Sequence, residues 1–449
     1  MISLAPLERP SETLLWAARP ADDSDFTPED PLALDYLAQQ VGLWLFPALT
    51  TRTTRAQNYA VVLYGLHLAE RALDEYGLPN DDATRLRLFE RWERFWALAV
   101  MESRNGTLER GDPDAMRGIL GVKRAWRSGD RPLDLDYPLI SRQSELGGLG
   151  AYLSSLRAIR LVLPGDLRAS PAAREILDAF WDEPSHGARI ASYEAYALSA
   201  LDLKKRTIER KQFGITLAAI GERTRLNCLR DRKRKEQQGR LYEILFVGAK
   251  DPLTFPLSEL IRRAADDNVD DTEEFLKEAL RGKWGSLPDN VREHLVIARA
   301  FGNVFREVLS RFNAAYGATT RAGWIAPREQ VIEAAFPLAT MKPLRNACSA
   351  LLDAPLALEL RKLPLHGGAF MTLASRLRDA SPSEALDELL AYHRRVQQER
   401  RHGGGWLRED AGKIVVDLTA YTAHRFDAPF PSLKIPVVRR LLIDLGRIP

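Results

Sequence analysis

Apolar residues return every three or four positions along most of the chain, the period of an amphipathic helix. "PEDPLALDYLAQQVGLWLF" opens on proline and acids, as a helix N-terminus prefers, and predicts the first helix. "TRTTRAQNYAVVLYGLHLAERALDEYG" predicts a second that stops at Gly77, and "NDDATRLRLFERWERFWALAVMESRNG" a third, with Asn80, Asp81 and Asp82 as capping candidates. On this third helix Leu88, Trp92, Phe95 and Trp96 share one face, the pattern of a helix–helix core, and Arg87, Arg91 and Arg94 occupy the other. "PDNVREHLVIARAFGNVFREVLSRFNAAYG" reads as a long helix stopped by Gly317. Residues 327–400 alternate proline breaks with short amphipathic helices, and "FPSLKIPVVRRLLIDLG" closes the chain as a proline-started helix. A period of two appears in "GKIVVDLTAY", which predicts a strand of a C-terminal β-hairpin. Residues 1–30, rich in Pro, Asp and Ser, read as an extended or loosely docked arm. No internal repeat of fixed period is present, which argues against a solenoid.

Residues 137–181 carry the most specific pattern: "YPLISRQSELGGLGAYLSSLRAIRLVLPGDLRASPAAREILDAFW". Leu146, Leu149, Leu153 and Leu156 follow helical spacing, and a short apolar run, a Gly-Asp turn, a second short run and another helix come next. This order resembles a bacterial winged helix, with Arg160 where glycine is usual and Ser170 and Ala173 in place of Thr and Gly. The expected architecture is therefore mainly α and multi-domain, with a small winged-helix module and a short C-terminal β-hairpin. Composition shifts divide it into 1–112, 113–183, 184–317 and 318–449.

With 45% hydrophobic and 28% charged residues, the chain has the composition of an ordinary soluble globular protein. Cys228 and Cys348 are too few for a disulfide framework and suit a reducing cytoplasm, where both are expected as small core residues. No signal peptide is recognisable at the N-terminus. The most apolar stretch, "YAVVLYGLHLAERAL", meets charge too soon to span a bilayer, so no membrane partner is expected.

The net charge of +3 is unevenly spread. The segment 204–240 holds thirteen Lys/Arg and four Asp/Glu, a local charge of +9, which leaves −6 for the rest. Cations at this density repel one another unless something negative lies against them, and a phosphate backbone is one such counterpart. The candidates are Lys204, Lys205, Arg206, Arg210, Lys211, Arg223, Arg225, Arg230, Arg232, Lys233, Arg234, Lys235 and Arg240. Acids of the same chain, such as those at 266–274, or an acidic partner subunit are the alternatives. In the winged-helix passage the presumed recognition helix, "SELGGLGAYLSSLR", offers mainly Gly, Ala and Ser, which cannot read base edges. Arg142, Gln143, Arg157 and Arg168 could hold phosphates, so contact without sequence preference is expected.

Other constellations favour structure over chemistry. In "ERRHGGGWLRED" the glycines follow a helix, and no GKS or GKT comes after them, so Gly403, Gly404 and Gly405 read as a helix end with left-handed angles. A loop in which Arg401 and His402 meet an anion is the alternative. The seven histidines show no metal-ligand spacing, no G-x-S-x-G is present, and Cys228 has no identifiable histidine partner. No cofactor, metal or catalytic residue is expected. The run "DDNVDDTEE" reads as a solvated helix start.

"LFPALTTRTTRAQNYAVVLYGLHLAERAL", residues 45–73, resembles the N-terminal signature of uncharacterised bacterial proteins whose genes accompany helicases and nucleases in phage-defence loci. Tyr59 stands at the aromatic of that signature, Arg91 and Glu93 lie on the following helix, and "AYLSSLRAIRLV" supplies a third, winged-helix-like element. The resemblance implies a setting and no mechanism. Taken with the basic segment and the winged-helix passage, that setting points to a non-catalytic, DNA-engaging subunit working in the cytoplasm beside a helicase or nuclease. A protein-binding adaptor and a metal-dependent nuclease with scattered carboxylates are the alternatives.

Overall fold

Helix ends form where side chains or left-handed residues satisfy backbone groups that the helix itself leaves free. Asp81 accepts the N–H of Thr84 at 2.7 Å and starts helix Asp82–Ser103, while Gly77, in the left-handed region at φ +58°, ends Gln57–Tyr76. Ser381 and Glu384 form a reciprocal capping box on Pro382–Glu399. In the acidic run, Asp271 accepts from Glu274 N at 2.9 Å and opens Thr272–Leu280, so these acids do start a helix. A computed structural model describes residues 30–50, 55–109, 112, 116–127, 129, 131–181, 192–400, 404–417, 421 and 427–449. Among these the chain is mainly α, with small antiparallel sheets only. No described helix is long and apolar enough to cross a membrane.

The chain forms two units, one of residues 1–45 and 267–436, the other of 46–266 and 437–449. They part at 45/46, 266/267 and 436/437, whereas composition placed divisions at 112, 183 and 317.

The unit of residues 46–266 and 437–449 is organised on Gln57–Tyr76 and Asp82–Ser103, which pack against each other. Gly65 is where they approach: the Trp92 indole lies where a Cβ would be and donates Nε1–H to the Val61 carbonyl at 3.0 Å. Tyr64 stacks on Phe180 at 4.1 Å, and Trp92 and Trp181 complete the aromatic cluster. The expected stripe of Leu88, Trp92 and Phe95 is core, with Trp96 half-buried. Its opposite face is not uniformly solvated. Arg87 is exposed, but Arg91 is buried, donating to the carbonyls of Ala200 and Lys205 and pairing with Asp136 at 3.2 Å.

The winged-helix passage keeps its helix Gly148–Ala158 and the short Arg174–Asp178, but its wing is reduced to one antiparallel bridge, Val162↔Ala169, around Gly165. The turn between them folds back on Asp166 instead of extending: Arg157 donates to its carbonyl at 2.8 Å and Arg168 grips its carboxylate at 2.6 Å. The expected recognition helix is also split, into Gln143–Leu146 and Gly148–Ala158.

In the other unit the long helix Asp289–Arg321 runs on through Gly317, expected as its stop but buried inside it, and packs against Arg328–Ala335, Met341–Leu352 and Leu34–Leu45. The C-terminal hairpin is present: Leu407–Asp410 pairs with Lys413–Val416 through a turn at Ala411 and Gly412, whose φ values of +48° and +74° match the twist of the strands. Ile325–Pro327 adds a third strand, on the other side of Lys413–Val416. Cys348 is buried, as expected, and burial pushes its thiol up to about 12; Cys228, expected in the core, is exposed.

Candidate nucleic-acid interface

The segment 204–240 folds into distinct local structures rather than a continuous basic stripe. Thr207–Ile208 pairs with Leu133–Asp134, and Lys211–Gln212 pairs with Ile215–Thr216. The second pair closes over two residues, Phe213 and Gly214, both with positive φ (+54° and +77°). This is the two-residue turn that right-twisted strands prefer, and it normally carries Asn-Gly or Asp-Gly. Here an aromatic residue takes the strained first position, and Phe213 is 51% exposed. Thr216 accepts from Ala219 N at 3.2 Å and starts Leu217–Arg223, and a 3-10 turn at Leu226–Cys228 leads to Asp231–Tyr242.

Arg210 fixes this hairpin to the fold. Its guanidinium pairs with Glu102, donates to the carbonyls of Arg127 and of Arg131 (3.0 Å), and lies 5.9 Å from the Trp126 ring centre. From the other side the Tyr196 hydroxyl donates to the Glu209 carbonyl, and Ser199 donates to Gln212 at 2.9 Å. The tip therefore projects from an anchored base.

The remaining candidates fall into three conditions. Arg225 is buried, with Nε donating to the Gly221 carbonyl at 3.3 Å, and Arg223 lies 6.0 Å from the Tyr193 ring centre. Others meet acids of the same unit: Arg206 reaches Asp134 at 3.8 Å and Asp136 at 3.9 Å, Lys205 reaches Asp202, Lys233 reaches Glu236, Arg234 pairs with Asp231, and Arg240 pairs with Glu175 at 3.0 Å. Part of the excess charge is thus met by carboxylates that lie outside the segment in sequence. Arg230 is exposed. The side chains of Lys204, Lys211, Arg232 and Lys235 are exposed and make no hydrogen bond or ion pair among the described residues.

Outside the segment, Arg142 is exposed and pairs with Glu145 at 3.1 Å, while Arg157 and Arg168 serve the turn at Asp166. Gln143, expected as a phosphate contact, is buried; its amide donates to Glu93 at 2.8 Å and to the Glu90 carbonyl at 2.9 Å. Glu93 entered the sequence reading only as part of the family resemblance and was given no role there. An acid beside Trp92 on a helix facing "GGLG" was the available signal, since paired glycines admit a close approach by a neighbouring side chain.

The glycine stretch has a different basis from the one expected. Arg401, His402 and Gly403 lie outside the described residues. Neither Gly404 nor Gly405 has a positive φ. Gly405 is small because His393 sits against it: an added Cβ would lie 2.9 Å from the imidazole Cδ2, whereas nothing lies within 4 Å of a Cβ at Gly404. Gly405→Ala is therefore expected to lower the melting temperature, by a few degrees for each ~1 kcal/mol of overpacking. Gly404→Ala should be neutral or slightly stabilising, because it only restricts the unfolded chain. Equal losses at both positions would show that the His393 contact is not what holds this stretch.

No group of three or more His, Cys, Asp or Glu among the described residues is placed to hold a metal ion. Comparison with family models, curated proteins and solved structures yields no match for this chain.

Proposed function

We propose that the chain binds nucleic-acid backbone with little sequence preference, through the hairpin at 207–216. One observation carries this reading: an exposed aromatic, Phe213, held in a strained turn at the tip of an anchored hairpin whose approaches carry the exposed cations Lys204, Lys205, Arg206 and Lys211. Cations that track phosphates and an aromatic face on which a base can stack are the two parts of a sequence-tolerant nucleic-acid site. The scarcity of amide side chains at the tip supports binding that does not read base edges. The setting, a subunit working beside a helicase or nuclease against phage, rests on the resemblance of residues 45–73 alone.

The test is binding of purified protein to single-stranded and duplex DNA across a salt series. Wild type is expected to bind with an affinity that falls steeply with salt, because bound cations displace counterions. Lys204→Glu with Lys211→Glu should weaken binding and flatten the slope by about one unit for each phosphate left without its cation. Phe213→Ala should weaken single-strand binding by ~1–3 kcal/mol, about 5- to 150-fold, with duplex binding less affected. Arg232→Glu with Lys235→Glu asks whether the helix Asp231–Tyr242 adds a second contact. Salt-independent binding, or hairpin variants that bind like wild type, would remove the hairpin as the site. Cleavage of the probe on adding Mg²⁺ or Mn²⁺ would favour a nuclease instead.

A further inference from the structure

A cavity within the unit of residues 46–266 and 437–449 has a volume of about 200 Å³. Its walls include Phe89, Trp92, Trp96 and Leu139, with Glu93, Asn58, Tyr152 and Arg117 as polar members; Arg117 donates to the Leu146 carbonyl. The two indoles stand one helical turn apart on Asp82–Ser103, and each has its N–H already engaged, Trp92 by the Val61 carbonyl and Trp96 by the Thr224 hydroxyl at 3.0 Å. They therefore offer the cavity only apolar ring surface. Glu93 is different. It is 8% exposed, accepts one hydrogen bond on each oxygen, from Gly148 N and from the Gln143 amide, and makes no ion pair among the described residues.

An ionised carboxylate has about four acceptor sites, and burial without a cation costs free energy unless those sites are used. Half of Glu93's capacity is filled by the fold, and the carboxylate borders the cavity. The backbone has been cleared to permit this arrangement. A Cβ at Gly148 would lie 2.9 Å from Glu93 Oε1, and one at Gly147 would lie 2.8 Å from Oε2. The glycines that deprive the presumed recognition helix of base-reading side chains are the ones that let it close on a carboxylate. Burial also raises the Glu93 carboxyl above its ordinary range, against the pull of its two N–H donors. A partner that donates hydrogen bonds would favour the ionised form.

We infer that this cavity binds a small planar nitrogen heterocycle with adjacent N–H donors, the pattern of guanine, with Glu93 accepting from its edge and Trp92 and Trp96 walling its flat body. An apolar cavity of about 150 Å³ holds benzene, so 200 Å³ suits a larger ring system only if the ribose of a nucleoside stays at the mouth. Guanine presents N1–H and N2–H₂ side by side to a carboxylate. Hypoxanthine lacks the second donor, and adenine turns an acceptor toward the acid. The site does not depend on the basic hairpin.

Titration calorimetry of the full chain with guanosine, inosine and adenosine tests this. Guanosine is expected to bind, inosine about tenfold more weakly for the missing charge-assisted hydrogen bond, and adenosine more weakly still. Glu93→Gln should reduce guanosine affinity at least about tenfold. Because that variant could also disturb the fold, Ala97→Met provides a second arm: residue 97 lines the cavity, and a longer side chain there takes up its volume while Glu93 is kept. It should abolish guanosine binding while the melting temperature is kept or raised. Lys204→Glu with Lys211→Glu should leave guanosine binding unchanged, which separates this site from the hairpin. Failure of all three nucleosides to bind at millimolar concentration, adenosine binding as tightly as guanosine, or full binding by Ala97→Met would each overturn the inference.

Discussion

Replacing His393 with alanine is expected to cost about 4 kcal/mol at pH 7.5 but only about 1 kcal/mol at pH 4. The imidazole is fully buried in helix Pro382–Glu399. Nδ1 lies 2.8 Å from the Pro31 carbonyl, to which it donates, and Nε2 accepts the N–H of Trp406 at 2.7 Å. One neutral ring thus ties the helix to the strand that follows the glycines and to the residues that precede Leu34–Leu45. Protonation would turn the accepting nitrogen into a donor aimed at an N–H, in a buried place. Burial accordingly pushes the His393 pKa down from 6.5 to about 4. The folded-state value lies below the unfolded one, so this contribution is fully present above pH 6.5 and lost as the pH falls toward 4. A shift of that size is worth roughly 3 kcal/mol. Asp30 acts in the opposite sense, because burial raises its carboxyl to about 6 and its protonation favours the folded chain. The wild-type stability curve alone therefore shows only the sum of these two and of the other groups that burial shifts, His67, His366, Glu93 and Asp444 among them. Comparing wild type with His393→Ala by denaturant unfolding at several pH values isolates the histidine. A penalty that stays constant from pH 7.5 to pH 4 would mean that His393 does not carry this linkage.

Arg210→Ala is expected to destabilise its unit by about 3–4 kcal/mol, whereas Lys211→Ala, the next residue, should stay within about 0.5 kcal/mol of wild type. The arginine is mostly withdrawn from solvent, and its loss takes the cation from Glu102, which keeps only the Trp126 indole N–H among the described residues, and the donor from the carbonyls of Arg127 and Arg131. Removing one member of such a group costs more than the pair contributes, because the other is left desolvated. Lys211 has no partner among the described residues to strand. The two variants should also part in function. Lys211→Ala should weaken nucleic-acid binding at unchanged stability, whereas Arg210→Ala should lower the unfolding midpoint and affect binding only through the hairpin it anchors. Guanidinium unfolding followed by circular dichroism reads the first effect, and the salt series reads the second. An Arg210→Ala protein of wild-type stability would return Arg210 to the set of phosphate contacts.

The order of helices was legible because its causes are local. The cap at Asp81, the helix start in the acidic run at Asp271, the stop at Gly77 and the apolar period of Asp82–Ser103 all act over one or two turns, and local residue order reveals them. The hairpin at Leu407–Val416 was legible for the same reason, since alternation and a two-residue turn are local features. The third strand, Ile325–Pro327, was not, because its pairing to Val415 spans about ninety residues of intervening chain.

The candidate site shows the same division more sharply. Charge density picked out residues 204–240, and counting could go no further, because whether a cation serves solvent or the interior depends on which acids the fold brings to it. Glu102 came to Arg210 and Glu175 to Arg240 from far along the chain, leaving Lys204, Lys211, Arg232 and Lys235 exposed. Arg91 and Glu93 illustrate the limit from the other side. Arg91 was placed on the polar face of its helix and Glu93 was given no role, yet both are buried, because the carbonyls of Ala200 and Lys205 close on the one and the glycines at 147 and 148 on the other. By itself the sequence determined where the helical stretches lie, where several of them start and which stretch is basic, since these follow from backbone propensity and composition. Tertiary structure alone decided which charges serve the fold and which face outward, because desolvation and ion pairing depend on neighbours in space, and the sequence does not carry their distances.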